Sequence, residues 1–122
     1  MELLAHEVIG IGMMIHQELG PGLLESTYEA ILSMELERRG FHTQRQLELP
    51  VVWKGINTGT FYRVDLVVDE RLLIELKSVE TLAPVHSKQV LTYLRLMNIP
   101  LGLLFNFGSS TFRQGIQRIV ND

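Results

Sequence analysis

The sequence predicts an α/β domain in which helices flank a mixed β-sheet. Three observations predict it. Apolar residues recur at helical spacing over residues 2–39, and the period changes to two over residues 47–77. A helix-length segment then separates the third strand from a last apolar run, as a crossover to a parallel strand requires. A length of 122 residues fits one such domain, residues 1–122.

Two helices precede the first strand. The apolar residues that follow helical spacing in the first helix are Leu4, Val8, Ile11, Ile15 and Leu19. The sequence Gly20-Pro21-Gly22 ends this helix. A second helix is predicted over residues 23–39, and Gly40 is a suitable terminator just beyond it.

Three strands follow, over residues 47–53, 62–68 and 72–77, because apolar and polar residues alternate there or form a short apolar run. Pro50 predicts that the first of these strands lies at an edge or contains a bulge, since proline donates no hydrogen bond to a sheet. The segment 54–59 is expected to be a turn.

The last third of the chain predicts a helix, a strand and a helix. Pro84 suits a first helical position, and the helix should extend to about Met97. Leu101–Phe107 reads as a short buried strand, and Phe112–Val120 as a last helix. The predicted order is therefore ααβββαβα around a mixed sheet of four strands.

Composition excludes several classes of function. A net charge of −3 and a pI near 5.8 argue against binding nucleic acid through bulk positive charge. The absence of cysteine excludes thiolate catalysis, disulfides and cysteine-ligated metals, and it fits a reducing compartment. The first ten residues lack a basic segment, and the early apolar run is too short to span a membrane. We expect a soluble, cytoplasmic protein with no membrane partner.

The segment between residues 63 and 77 carries the most chemical information. If Asp69–Arg71 form a three-residue loop, Asp65 lies directly opposite Glu75, with Cβ atoms roughly 4.5–5.5 Å apart. Two carboxylates this close repel each other, and a hard divalent cation such as Mg²⁺ or Mn²⁺ would remove that cost. Lys77 shares the face of Glu75 and could orient a water or neutralise charge on a phosphate. The alternative is a solvated hairpin with acids and a lysine on its surface.

Two helices carry further polar residues at informative positions. Glu25 shares a helical stripe with four residues of the second helix, namely Tyr28, Glu29, Leu32 and Leu36. A carboxylate on this stripe needs a partner, although an acid in the first turn is also favoured by the helix dipole alone.

On the helix after the hairpin, three polar side chains share the apolar face, namely His86, Gln89 and Tyr93. Polar residues on a packing face either serve a site or are core groups with satisfied hydrogen bonds. The second interpretation applies with most force to His86 and Tyr93, and Gln89 has the weakest structural reason to be there.

These residues carry a resemblance to a known family. Residues 22–29, Gly-Leu-Leu-Glu-Ser-Thr-Tyr-Glu, match the G-x-x-E-x-x-Y signature of the family named for it. Asp65, then Glu75-Leu76-Lys77, then Gln89 with Tyr93, resemble the core of the PD-(D/E)XK nuclease superfamily. The resemblance covers residues 9–107, and Val64 stands where the superfamily's name has proline.

The resemblance implies a restriction-endonuclease-like fold and metal-dependent hydrolysis of phosphodiester bonds. It implies that Asp65 and Glu75 bind Mg²⁺ or Mn²⁺ together with the backbone carbonyl of Leu76. It also implies that Lys77 is the catalytic lysine.

The resemblance further assigns Glu25 as the helix acid at the metal or its water, and Gln89 as a polar residue beside the site. We expect Tyr28, Tyr93 and His86 to support these groups.

The expected function is therefore a Mg²⁺-dependent nuclease acting on DNA or RNA, with DNA favoured. The alternative is a module that keeps the fold and binds nucleic acid or protein without cleaving. A purely structural helix-pairing protein would leave Asp65, Glu75 and Gln89 unexplained. Surplus apolar residues predict a homodimer or a larger assembly, namely Leu3, Ile9 and Met13 on the first helix and Leu91 on the polar side of the helix after the hairpin.

Overall fold

In a computed structural model, which describes residues 2–122, the chain forms three α-helices and one five-stranded sheet. The helices are α1 (Glu2–Leu19), α2 (Glu25–Arg38) and α3 (Pro84–Met97). The strands are β1 (Thr43–Trp53), β2 (Ile56–Val68), β3 (Leu72–Lys77), β4 (Leu101–Asn106) and β5 (Ile116–Val120). They lie in the order β1-β2-β3-β4-β5, with β3 and β4 parallel and the other neighbours antiparallel. The predicted mixed α/β fold is confirmed, with five strands instead of four.

The helices match the sequence prediction closely, since α1 and α3 have the predicted bounds and α2 starts two residues later. In α3, Pro84 occupies the first turn, where its missing N–H has no cost. Among the helices of residues 2–122, none combines the length and hydrophobicity that a membrane crossing requires.

The predicted last helix over residues 112–120 is wrong. Residues 113–115 form a 3-10 turn, and β5 then pairs antiparallel with β4 from Phe105↔Ile116 to Leu101↔Val120. The spacing of apolar residues suits a helix, but β-branched residues favour a strand, and β5 pairs with the side of β4 that β3 leaves free. Gly115 also packs against the backbone carbonyl of Asn106 too closely for a side chain.

The sheet is covered on both faces. On one face, α1 and α2 bury Val8, Ile11 and Leu32 against Ile74 and Phe105. On the other face, α3 buries a second cluster whose members include Leu73, Val90, Leu94 and Leu104. Each fully buried aliphatic side chain contributes about 1.5–3 kcal/mol of transfer free energy, so these two clusters hold the helices on the sheet.

Strand β1 changes face at Gln46. Before it, Arg45 pairs with Glu29 of α2, whereas after it Leu47 and Leu49 pack into the cluster on the α3 face. Regular alternation would keep residues 45 and 47 on one face. Gln46 absorbs the change by adopting a positive φ of 50°.

Strand β2 changes face at Asp65, the position opposite Gln46. Leu66 belongs to the core on the α1 and α2 face, and Val64 belongs to the core on the α3 face. Asp65 lies between them, so Gln46 and Asp65 occur at the same step of the sheet. Beyond it, β1 and β2 continue only as a hairpin, which ends in a two-residue turn at Lys54-Gly55 with both φ angles positive. The expected turn over residues 54–59 is thus shorter, and the register shift after Pro50 confirms the expected bulge.

Candidate active site

Asp65 and Glu75 hold each other's strands together where the ladder between β2 and β3 ends. The last paired residues are Leu66 and Ile74, in the register that a three-residue loop predicts. At the next position the backbone N–H of Asp65 donates to Oε1 of Glu75 at 3.0 Å. The backbone N–H of Leu76 donates to Oδ2 of Asp65 at 2.9 Å. Side-chain oxygens therefore satisfy the N–H groups that the ladder leaves free, and this fixes both carboxylates in one place.

Burial and mutual repulsion keep a proton on this pair. Glu75 is 5% exposed, and burial together with the negative charge of Asp65 raises the pKa of Glu75 to about 9. The hydrogen bond from the Asp65 N–H and the positive charge of Lys77 lower the pKa of Glu75, but by less than burial and repulsion raise it. In the absence of a cation, Glu75 is therefore protonated at neutral pH.

Tyr93 of α3 faces the same carboxylates. Burial, followed by the charges of Glu75 and Asp65, raises the pKa of Tyr93 to about 12. The neighbouring Gln89 side chain slightly opposes this rise in the pKa of Tyr93. The Tyr93 hydroxyl thus stays protonated and available as a donor beside the carboxylates.

Hydrogen bonds therefore join the strands at Asp65 and Glu75, and the charge of Lys77 and the Tyr93 hydroxyl are electrostatically coupled to this pair. Gln89 lies one helical turn before Tyr93 on α3.

The buried acid of α2 is Glu29, which sequence reasoning passed over in favour of Glu25. Glu29 is 3% exposed and accepts hydrogen bonds from Arg45 at 2.9 Å and from Gln46 at 2.6 Å. The same Gln46 amide nitrogen lies 3.3 Å from Oδ1 of Asp65. A buried acid, an amide and a strand carboxylate therefore form one connected network.

Glu25 does not contact this network. It is exposed in the first turn of α2, before the buried stretch that begins at Tyr28. The helical stripe indicates the side of α2 that faces the core. Glu29 lies on this stripe one turn after Glu25, and that position is the signal that could have identified it as the buried acid. An acid in the first turn still interacts favourably with the helix dipole.

Tyr28 and His86 stabilise local structure at some remove from the carboxylates. Tyr28 is fully buried, its ring stacks on Phe107 at 4.2 Å, and its hydroxyl donates to the Gly20 carbonyl. These contacts fix the loop between α1 and α2 on the core. Nδ1 of His86 accepts a hydrogen bond from the Ala83 N–H at 3.1 Å, which caps the start of α3.

The donor set suits a hard divalent cation. Within residues 2–122 no three acidic or histidine side chains converge as a metal cluster, so a cation at this point would meet two carboxylates, those of Asp65 and Glu75. Mg²⁺ is commonly bound by one or two carboxylates, with water and substrate phosphate completing its shell. A protein site of two carboxylates and a backbone carbonyl, that of Leu76, is compatible with that preference.

The fold and the paired acids agree with the result of comparing this chain with known protein families. A mixed sheet flanked by helices, with this acidic pair at its centre, is consistent with a restriction-endonuclease-like fold. The model of the PD-(D/E)XK nuclease superfamily matches residues 2–119, and the chain belongs to this superfamily. Its members generally use divalent metals, and membership indicates nuclease activity and nucleic acid as a partner. Comparisons with curated proteins and with solved structures found no match.

Proposed function

We propose that this protein is a Mg²⁺- or Mn²⁺-dependent nuclease that hydrolyses phosphodiester bonds of DNA, or of RNA. The observation that carries the proposal is the pair of hydrogen bonds that places the two carboxylates at the end of the β2–β3 ladder. The Asp65 N–H donates to Glu75, and the Leu76 N–H donates to the Asp65 carboxylate. Within the superfamily, the motif over residues 22–28 supports membership of the G-x-x-E-x-x-Y family.

In this proposal, Asp65 and Glu75 bind the cation with the backbone carbonyl of Leu76. A divalent cation bound there supplies Lewis-acid activation of water and neutralises charge on the phosphate. A divalent cation held by these groups would displace the proton of Glu75, since two positive charges would replace the one that the proton supplies. Gln46 holds the Asp65 carboxylate in place and is itself held by the buried Glu29.

Lys77 and Tyr93 act on the substrate side of the proposed site. The Lys77 ammonium stabilises negative charge that develops on the phosphoryl oxygens. The protonated Tyr93 hydroxyl donates a hydrogen bond to a carboxylate or to a phosphate oxygen. Gln89, one helical turn earlier on α3, is the polar residue beside it. Glu25 has no role in this scheme, since Glu29 takes the place of the helix acid.

The second candidate is a module that binds nucleic acid without cleaving it. The protonated state of Glu75 favours this candidate, because a cation must displace a proton from one of only two carboxylates before it binds.

The proposal has two further parts, a homodimer and a cytoplasmic location. Leu3 is 85% exposed on α1, and an exposed leucine of this kind supports a homodimer through that helix. The absence of cysteine supports a cytoplasmic location.

The test offers duplex, single-stranded and branched DNA, and RNA, to purified protein with Mg²⁺ or Mn²⁺ and with EDTA. We expect cleavage that EDTA stops, that Glu75→Gln abolishes and that Lys77→Ala lowers about 10²–10³-fold, as is typical for one lost charge stabiliser. Lys88→Ala, at an exposed position of α3, is the matched control and should cleave normally. Inert wild-type protein that still binds metal would favour the binding module, and full activity in Lys77→Ala would indicate a contaminant.

A further inference from the structure

The hairpin beyond the active site projects from the body of the sheet. We call residues 47–64 the hairpin arm, because there β1 and β2 pair only with each other. At a rise of about 3.3 Å per residue, the distance along β2 from Asp65 to Ile56 is about 30 Å. The arm therefore starts at the carboxylates and extends well beyond them.

The arm exposes large aromatic side chains to solvent. Trp53 is 68% exposed and Phe61 is 51% exposed. Each ring has a cation close by, with Lys54 Nζ at 5.5 Å from the Trp53 ring and the Arg63 guanidinium at 5.7 Å from the Phe61 ring. Exposed rings with adjacent positive charges offer a surface for planar, negatively charged partners.

The charge of the arm is opposite in sign to that of the whole chain. The arm contains two cations, Lys54 and Arg63, and one acid, Glu48, whereas the chain carries a net charge of −3. Glu48 lies 3.8 Å from Arg63, and both side chains are more than half exposed, so the pair neutralises little of the Arg63 field. The arm thus provides local attraction for phosphate groups on an otherwise acidic protein.

The edge of the arm is poorly suited to pairing with a second copy of this chain. Pro50 lacks a backbone N–H on the edge strand β1, and the register shifts between Pro50 and Val52. A proline and a bulge at an edge are features that discourage strand-to-strand association.

We propose that the hairpin arm binds single-stranded nucleic acid on one side of the active site, with bases stacked on Trp53 and Phe61 and phosphates contacted by Lys54 and Arg63. Aromatic rings bind unpaired bases by stacking without regard to sequence, whereas paired bases present their faces only to one another. The proposal rests on the proposed nuclease function for the role of the adjoining carboxylates. Single-stranded DNA and RNA share the chemistry that the arm recognises.

Trp53 is the single tryptophan of the chain, and it reports on the arm directly. The experiment titrates wild-type protein in EDTA with single-stranded DNA, single-stranded RNA and duplex DNA of about 20 nucleotides, which exceeds the site size of common single-strand binders. We expect both single strands to quench Trp53 emission and the duplex to bind more weakly.

Two variants test the two kinds of contact. Phe61→Ala should weaken single-strand binding between about five-fold and about a hundred-fold, as the loss of one stacked base does. Arg63→Gln should reduce the slope of log affinity against log salt by about 0.7, the value for one phosphate contact on a single strand. The matched controls are Val120→Ala and Arg113→Gln, exposed positions at the opposite edge of the sheet, which should change neither quantity.

Equal affinity of wild-type, Phe61→Ala and Arg63→Gln proteins, all with unchanged melting temperatures, would overturn the proposal. Tighter binding of the duplex would also overturn it. Dissociation of a wild-type dimer by Trp53→Ala in light scattering would assign the arm to a second copy instead. Binding is measured without metal, so the two proposals can fail separately. Wild-type protein that cleaves but does not bind single strands through the arm refutes only this inference, whereas wild-type protein that binds single strands but does not cleave refutes only the proposed function.

Discussion

Replacement of Glu75 by glutamine should stabilise the metal-free protein at alkaline pH. The pKa of Glu75 is raised to about 9, so in the folded protein this carboxyl keeps its proton where an unfolded chain has already lost it. Between these two pKa values the folded state binds more protons than the unfolded state, and stability therefore falls as the pH rises. This sign is opposite to that of a salt-bridged acid, whose contribution is lost as the pH falls.

The size of the effect follows from one proton. Its contribution changes by at most about 1.4 kcal/mol per pH unit, which is at most about 4 kcal/mol between pH 5.5 and pH 8.5. Glutamine reproduces the protonated carboxyl, since its oxygen can accept from the Asp65 N–H and its amide can donate to the Asp65 carboxylate. The variant should lose the pH dependence that Glu75 contributes.

Urea unfolding of wild-type and Glu75→Gln proteins in EDTA at pH 5.5, 7.0 and 8.5 measures this difference. We expect the free energy of unfolding of the variant, relative to that of the wild type, to increase from pH 5.5 to pH 8.5 by at most about 4 kcal/mol. Glu18→Gln, at an exposed position near the end of α1, is the control and should keep the wild-type slope. Parallel slopes for wild-type and Glu75→Gln proteins would show that Glu75 ionises normally in the folded protein and would refute the reasoning.

Three further outcomes are expected. Mg²⁺ or Mn²⁺ should raise the melting temperature, because a cation at a hundred-fold excess over its Kd adds about 2.7 kcal/mol to the free energy of unfolding. Binding should also release protons, which calorimetry in two buffers can count. Asp65→Asn should abolish the rise in melting temperature, and an unchanged rise would place the ion elsewhere. Gln46→Gly should lower metal affinity or activity about 10–100-fold, as loss of a supporting partner does. Unaltered activity would remove Gln46 from the site. Light scattering at micromolar concentration should give a dimer of the 13.9 kDa chain, and Leu3→Lys should give a monomer; a monomeric wild type would count against the dimer.

Local rules predicted the part of the site that depends on one hairpin. The three-residue loop between β2 and β3 sets the register, and that register places Asp65 and Glu75 next to each other. Pro84 and the apolar stripe likewise determine α3, which carries Gln89 and Tyr93. These features depend on neighbours in sequence, and periodicity reports them well.

The features that sequence reasoning missed depend on tertiary contacts. A helical stripe does not tell which of Glu25 and Glu29 lies under the sheet, because that depends on where α2 begins to pack. Alternation over residues 47–53 gives no sign that β1 changes face one residue earlier, at a glutamine with positive φ. The last strand was mistaken for a helix because β4 offered an edge that no local pattern describes.

One distortion of the sheet accounts for both functional proposals. Strands β1 and β2 change face at Gln46 and Asp65, and β2 pairs with β3 only over residues 66–68. The backbone N–H groups just outside this ladder therefore need other acceptors. The carboxylates of Glu75 and Asp65 accept hydrogen bonds from these N–H groups. The same two carboxylates are the groups that would bind a cation, so the end of the ladder and the proposed metal site coincide. The end of the β2–β3 ladder also frees the rest of β1 and β2 to extend as the hairpin arm.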